Sequence, residues 1–275
     1  MTSFLAWLAA DKSRKSGLYF ASDSRVTFPD GSRDDNSVKL FCPSTTPEIF
    51  GMLGRDITFP KNALPTICKQ IDEGRIPAGL ATSMYGRIDW VLCELKKMKA
   101  LHLGGGDFTI FHGSRNSYGD RSTFALTRHQ FVATSDTWSH DEYDLDRGES
   151  HAIKFEGTGG GIVFDEVTPL RTAIGAVSRV HFQGFCNALQ SACPDEFSGG
   201  APQLLGLGST GVGRHYGVQT TNGTFFQGSP ASFDNVPSGT QWRDEAFQPV
   251  GPNGPITKNR RRKLIKGKAR PPKQV

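Results

Sequence analysis

The chain has 275 residues, of which 36% are hydrophobic and 10% aromatic, and this is enough apolar material for the core of one sizeable domain. No apolar run approaches the roughly 18–20 residues that cross a bilayer, and the N-terminus lacks a signal-peptide pattern, so we expect a cytoplasmic protein with no membrane partner. The five cysteines form no C-x-x-C motif, which favours reduced thiols and offers no metal framework.

The N-terminal part of the chain alternates short apolar runs with polar turns, a pattern typical of strands and hairpins. The predicted strands cover residues 3–10, 17–24, 39–43 and 48–54. Two helices are predicted next, over 60–73 and 82–101, and apolar residues recur at helical spacing in the second.

The remainder of the chain supplies further elements of both kinds. Strands are predicted over 108–112, 123–127 and 151–155, a long helix over 172–192, and short strands over 203–207, 215–218 and 224–227. This order suits two central sheets covered by helices on their outer faces. We interpret the acidic stretch 136–146 as a solvated insertion loop, with divalent-cation binding as the alternative.

The second residue carries the first sign of chemistry. Thr2 has a small side chain, which generally allows removal of the initiator Met1, and a mature N-terminal threonine combines a hydroxyl with a free α-amine. The amine has a pKa of about 7.7–8.0, so part of it is neutral near pH 7 and can accept the hydroxyl proton. Taken alone, the Met-Thr start is common and has no functional meaning.

Charged residues and glycines follow at the ends of adjacent predicted strands. Asp23-Ser24-Arg25 ends one strand, Lys39 opens another sixteen residues after the Asp, and Gly54 ends the strand before the first helix. Two glycine-containing motifs come later, Gly157-Thr158-Gly159 and Asp195-Glu196-Phe197-Ser198-Gly199-Gly200. Each motif alone has an ordinary interpretation as a surface ion pair, a flexible turn or the end of a helix.

Taken together, in this order and spacing, these motifs resemble those of N-terminal-nucleophile hydrolases. The similarity is to the catalytic subunits of the proteasome β type and their bacterial ATPase-dependent relatives. It covers residues 2–225, with Thr158 in place of the family's serine, a longer first hairpin and extra loop over 103–150.

The resemblance implies a role for each matched residue. Thr2 Oγ would attack the scissile carbonyl, Lys39 would lower the pKa of that hydroxyl by its positive charge, and Asp23 would hold Lys39. The Gly54 amide would stabilise the oxyanion. The resemblance implies three roles for the remaining residues. A network that orients the α-amine would consist of Thr158, Asp195 and Ser198. The loops would be supported by Arg25 and Gly199, and a specificity pocket would be lined by Met52.

For the whole protein, the resemblance implies a threonine peptidase of the α+β class. The expected architecture is a four-layer αββα sandwich, with two mostly antiparallel sheets between helix layers. The expected partners are a polypeptide substrate, further copies of the chain in a self-compartmentalising ring, and an AAA+ unfoldase ATPase. No cofactor is required, and a structural monovalent or divalent cation is left open. The alternative is a non-catalytic shell or interaction subunit, and the complete set of matched residues favours the peptidase.

Residues 256–275 differ in composition from the rest of the chain. They hold nine Lys or Arg and no Asp or Glu, which leaves 23 basic and 27 acidic residues, a net charge of −4, in residues 1–255. A basic run of this kind is usually disordered, and its charge suits nucleic acid or an acidic partner. We therefore predict a hydrolase domain at 1–230, an extension or linker at 231–255 and a basic tail at 256–275.

Overall fold

The computed structural model describes residues 2–11, 14–28, 30–102, 104–116, 122–145, 149–191 and 195–255. The helices, numbered in chain order, are α1 Thr58–Asp72, α2 Ala78–Ala81, α3 Met84–Ala100, α4 Gly160–Ile174 and α5 Ser178–Gln190. The first predicted helix corresponds to α1. The second corresponds to α3, whose N-cap is the Ser83 side chain accepting from the Gly86 amide, and the short α2 lies just before it.

The strands account for most of the remaining described residues. They are β1 Phe4–Asp11, β2 Arg14–Ser22, β3 Val26–Thr27, β4 Arg33–Asp34, β5 Leu40–Phe41, β6 Glu48–Gly54, β7 Phe108–Asn116, β8 Thr123–Val132, β9 Thr137–Tyr143, β10 His151–Glu156, β11 Gln203–Gly208, β12 Arg214–Thr220, β13 Gly223–Phe226, β14 Ser229–Pro230, β15 Gln241–Asp244, β16 Pro249–Gly251 and β17 Gly254–Pro255.

These strands form three sheets within the described residues. Ten strands make the largest, in the order β10-β1-β2-β11-β12-β15-β16-β17, with β13 and β14 branching from β12. A five-stranded sheet runs in the order β5-β6-β7-β8-β9, and β3 pairs with β4 alone. The pairings are antiparallel except that of β12 with β15, which is parallel and makes the largest sheet mixed.

Three large apolar clusters, with a small fourth one between α3 and β8, hold the elements together. One packs α1 and α3 on the five-stranded sheet, through residues that include Leu64 and Val91. In the second, Phe4 of β1 stacks on Phe111 of β7 with ring centroids 4.5 Å apart. The third packs α4 and α5 on the ten-stranded sheet around Trp7. Side chains of β1 alternate between the second and third clusters, so burial on both faces fixes the chain immediately after Thr2.

The prediction of a four-layer αββα sandwich with two mostly antiparallel sheets is wrong as a description of this α+β fold. The larger sheet has ten strands and contains a parallel pair, and a third, two-stranded sheet is present. The physical reason lies largely in residues 229–255. This stretch is rich in glycine and proline and has no strand-like alternation, yet it supplies β14 to β17.

Two individual elements also differ from the expectation. The stretch 172–192, predicted as one long helix, contains the end of α4 and all of α5, because the chain turns at Gly175, whose φ of +96° is unfavourable for other residues. The acidic stretch 136–146 differs from the predicted loop, because its described part contains β9, in which Asp141 lies opposite Arg128 and His140 opposite His129 on β8. These cross-strand partners explain how a polar segment joins the edge of the sheet.

The predicted division into three segments stays a prediction. Residues 241–255 contribute β15 to β17 to the ten-stranded sheet, whereas the basic tail lies outside the described residues, as does Met1. Of the described helices, none combines the length and apolar character that crossing a membrane requires.

Candidate functional site

Thr2, Asp23 and Lys39 meet where β1 begins and β2 ends. All three side chains are buried, Thr2 with 1% exposure and the other two with none. Lys39 Nζ donates to Thr2 Oγ1 over 2.9 Å and to Asp23 Oδ1 over 2.8 Å. The structure therefore places a lysine ammonium between a carboxylate and the hydroxyl predicted to act as a nucleophile.

Backbone amides complete the surroundings of Asp23. Its Oδ1 also accepts from the Ser3 amide at 3.1 Å, and its Oδ2 accepts from the amides of Arg25 and Gly199 at 3.2 and 3.0 Å. A carboxylate needs such donors when it leaves water, because an unsatisfied buried charge is costly. Asp23 is thereby fixed between β1, its own loop and the Gly199 turn.

The ionisation of Lys39 and Asp23 is governed by burial. Loss of contact with water lowers the pKa of Lys39 and raises the pKa of Asp23. The attraction between the two charges opposes both shifts. Each charged form is thus maintained by the other, and Lys39 is easier to deprotonate than an exposed lysine.

A second polar network lies beside the first. Ser198 Oγ donates to Asp195 Oδ2 at 2.6 Å, and Thr158 Oγ1 donates to the same oxygen. Ser3 Oγ donates to Ser198 Oγ at 2.9 Å, which ties the network to the residue following Thr2. The structure therefore brings together Thr158, Asp195 and Ser198 as expected, and the catalytic role of each stays a prediction.

Two glycines near the nucleophile permit close packing of neighbouring backbone segments. Gly157 has a φ of +85°, and a Cβ atom there would lie 1.8 Å from the Thr2 carbonyl oxygen. A Cβ on Gly54 would lie 2.6 Å from the Asp107 carbonyl oxygen. Gly54 and Thr2 line the same cavities, which is compatible with the oxyanion role predicted for the Gly54 amide.

Arg25 supports the loop after β2 through a partner that sequence reasoning missed. Its guanidinium donates to both carboxylate oxygens of Asp35, at 2.7 and 2.9 Å, and to the Ser198 carbonyl oxygen at 3.2 Å. The Gly199 carbonyl oxygen accepts from the Arg25 amide at 3.0 Å. Asp35 was not predicted because it lies in a polar stretch with several acidic residues and no distinguishing pattern.

Gln203 was also missed by sequence reasoning. Its side chain is 1% exposed and contacts the backbone of both Asp23 and Lys39. The available signal was a polar residue opening an otherwise apolar strand, 203–207, directly after Pro202. That signal marks an unusual buried group but does not identify its partners.

Two cavities flank Thr2. One, of about 370 Å³, is lined by Leu53 of β6 and by residues of β7, β8 and the Gly157 turn. The other, of about 400 Å³, extends toward Phe28, which is 45% exposed. Thr2, Gly54 and Arg55 line both, so the buried threonine borders a cavity on each side.

Met52, predicted to line a specificity pocket, lies elsewhere. It is fully buried in the apolar cluster beneath α1 and α3 and lines neither cavity beside Thr2. Successive side chains of a strand point to opposite faces, so Leu53 lies on the cavity side instead.

The described residues contain no group of three or more His, Cys, Asp or Glu side chains placed to hold a metal ion. Part of the acidic stretch 136–146 forms β9, and Asp146 lies outside the described residues. The expectation that no cofactor is required, with room for a structural cation, stays a prediction.

No protein-family model matches this chain, and no curated protein sequence matches it significantly. Solved structures do match. The ancestral β-subunit protein Anbu from Yersinia bercovieri has a TM-score of 0.51 and 13% identity, covering 77% of this chain and 86% of its own. A helical assembly of the Anbu complex from Pseudomonas aeruginosa gives a TM-score of 0.48 and 15% identity, covering 78% and 85%.

The first of these likenesses shows a common fold, and an identity of 13% does not extend it to a common activity. It also corrects the resemblance inferred from the motifs. The identification with the proteasome β type and its bacterial ATPase-dependent relatives is wrong, because the Yersinia structure that shares the fold is an ancestral β-subunit protein and the ten-stranded sheet is mixed.

Proposed function

We propose that this chain hydrolyses peptide bonds with the hydroxyl of an N-terminal Thr2 as the nucleophile. One observation carries the proposal: the fully buried Lys39 Nζ lies 2.9 Å from Thr2 Oγ1 and 2.8 Å from Asp23 Oδ1. An ion pair with a purely structural role has no need of the hydroxyl. A lysine in this position lowers the pKa of the attacking group, as an activated nucleophile requires.

The proposed reaction has two stages. Thr2 Oγ attacks the carbonyl carbon, and its proton passes, directly or through a water molecule, to the α-amine that removal of Met1 exposes. The C–N bond then breaks as the leaving amine takes that proton from the α-ammonium group, which leaves an ester between Thr2 and the acyl part of the substrate. Water then hydrolyses the ester and restores the hydroxyl.

The surrounding groups support this chemistry. The positive charge of Lys39 stabilises the developing alkoxide, and Asp23 keeps that charge in place against the effect of burial. Gly54 borders the same cleft and supplies a backbone amide for the oxyanion. The network of Asp195, Ser198 and Thr158 contacts Ser3, the residue after Thr2, and this proximity supports a role in orienting the amine.

The cleft supports a polypeptide substrate. Cavities open on both sides of the nucleophile, and residues on either side of a scissile bond therefore each have a place to bind. The walls combine apolar Leu53 and Phe28 with the charged, exposed Arg55. We expect cleavage to depend on the residues that flank the bond.

Assembly remains part of the proposal. Large apolar side chains are exposed on α4 and just after it, namely Phe164 (51%), Ile174 (39%) and Val177 (43%), and such groups favour association. We propose that the chain forms a homo-oligomer, more specifically a ring that works with an AAA+ unfoldase. Light scattering of the purified protein tests the homo-oligomer. Binding of the basic tail to nucleic acid or an acidic partner stays a prediction.

The test is covalent labelling of the purified protein with a β-lactone probe, read by intact mass and peptide mapping. We expect one adduct, on Thr2, only in molecules whose mass lacks Met1. Thr2→Ala should abolish the adduct, whereas the matched control Thr2→Ser keeps a hydroxyl and should retain labelling. Full peptidase activity in protein that keeps Met1 would contradict the mechanism.

A further inference from the structure

Gln203 is a buried polar residue for which the chemistry above has no use. It opens β11 and lies opposite Ser22, the last residue of β2, with its side chain 1% exposed. The loop that follows β2 carries Asp23. The position of Gln203 therefore brings an amide side chain against the segment that holds the proposed catalytic ion pair.

The amide of Gln203 contacts three backbone groups. Its Oε1 accepts from the Lys39 amide at 3.1 Å, and its Nε2 donates to the carbonyl oxygens of Asp23 and Ser37, at 3.0 and 2.9 Å. A glutamine side chain offers one carbonyl acceptor and two N–H donors. The site uses the acceptor and both donors, so no other residue of this length satisfies it.

These contacts join two segments that are also linked by the Ser37 amide donating to the Ser24 carbonyl oxygen at 3.1 Å and by the Arg25–Asp35 ion pair. One segment ends β2 and carries Asp23, and the other precedes β5 and carries Lys39. The Lys39 backbone amide and the Asp23 backbone carbonyl are held by the same side-chain amide, while the side chains of those two residues meet at 2.8 Å. The distance between the two backbones is thus set independently of the charges.

We propose that Gln203 is a positioning residue that sets the place of Lys39 Nζ against Thr2 Oγ1. This inference rests on the proposed function of Thr2. Gln203 touches neither the nucleophile nor the substrate cleft, and it acts through the backbone of Lys39. When Gln203 is replaced, Lys39 keeps its positive charge, but its Nζ atom is no longer held against Thr2 Oγ1.

The first test compares Gln203→Met with the control Ser150→Ala. Methionine has a similar length and makes none of the three hydrogen bonds. Ser150 is also a buried residue whose side chain binds backbone groups, and its partner Ala10 lies at the end of β1 far from Thr2. Its hydroxyl accepts from the Ala10 amide at 2.8 Å and donates to the Ala10 carbonyl oxygen at 3.2 Å. We expect Gln203→Met to lower kcat about a hundredfold with KM nearly unchanged, as misalignment by about 1 Å does. An equal loss of kcat in Gln203→Met and Ser150→Ala would overturn the proposal.

The second test is a double-mutant cycle with Lys39→Met, read by the rate of Thr2 labelling. If Gln203 acts through Lys39, the Gln203→Met change should have no further effect once Lys39 is absent. Equal fold-losses in the presence and absence of Lys39 would show a general structural role and contradict the positioning role.

The third test does not depend on activity. A crystal structure of Gln203→Met should show Lys39 Nζ moved from its 2.9 Å contact with Thr2 Oγ1. An unchanged contact would overturn the positioning role, whether or not the β-lactone probe labels Thr2 in the wild type. Displacement of Lys39 in a protein whose wild type never labels at Thr2 would support the positioning of Lys39 and refute only the proposed hydrolase.

Discussion

Replacing Lys39 with methionine removes the buried cation and leaves the Asp23 carboxylate behind. Removing one partner of a buried ion pair costs about 3–5 kcal/mol. Three backbone amides, at 3.0 to 3.2 Å, still donate to the Asp23 oxygens. We therefore expect the free energy of unfolding to fall by an amount at the lower end of that range, about 3 kcal/mol.

The loss of stability should depend on pH in a defined direction. Burial already raises the pKa of Asp23, and removal of the Lys39 charge removes the largest opposing effect. The folded state of Lys39→Met then binds the Asp23 proton more tightly than the unfolded state, so its stability falls as pH rises. Guanidinium denaturation at pH 5 and pH 8 measures this dependence. The free energy of unfolding of the variant should lie further below that of the wild type at pH 8 than at pH 5.

The double variant Lys39→Met, Asp23→Asn separates stability from chemistry. It removes both charges and should recover a large part of the lost stability, because no unpaired charge remains buried. It should not recover labelling of Thr2, because the positive charge beside the hydroxyl is still missing. Near-normal labelling in either variant would refute the reasoning and make Lys39 a structural residue.

Three further outcomes are expected. Gly157→Ala should reduce labelling of the nucleophile sharply, because its Cβ would lie 1.8 Å from the Thr2 carbonyl oxygen, whereas Gly161→Ala, with no atom within 4 Å, should not. Buried His181 has its pKa lowered to about 4 by burial, so stability should fall by about 2 kcal/mol between pH 7 and pH 5, and less in His181→Asn. Deleting 256–275 should leave labelling unchanged in intact mass spectra and alter assembly or partner binding in a salt-sensitive way.

The residues that meet at the candidate site were predictable where each one ends a recognisable element. Asp23, Lys39 and Gly54 each lie at the end of an apolar run, and adjacent strands bring such ends together. Gln203 and Asp35 were not predictable, because their partners lie across the fold and local pattern contains no information about them. Gln203 contacts a backbone amide 164 positions earlier in the chain.

The fold was harder to predict than these positions. Apolar periodicity identified the strands β1, β2 and β6 and the helix α1, since their sequences alternate or repeat clearly. The helix α4 was missed because its first residues look like a glycine turn and Pro169 interrupts its interior. The strands β15 to β17 depend on pairing with one another and with β12, which single-segment patterns do not reveal.

The burial of Lys39 and Asp23 is itself an argument for their function. Two charges taken out of water lose several kcal/mol each in solvation, and well-packed apolar residues in their place often give a protein of equal or greater stability. Stability alone therefore does not account for the pair. Contact of the ammonium with a hydroxyl on the second residue of the chain does account for it, because activating that hydroxyl requires a positive charge held in a dry place.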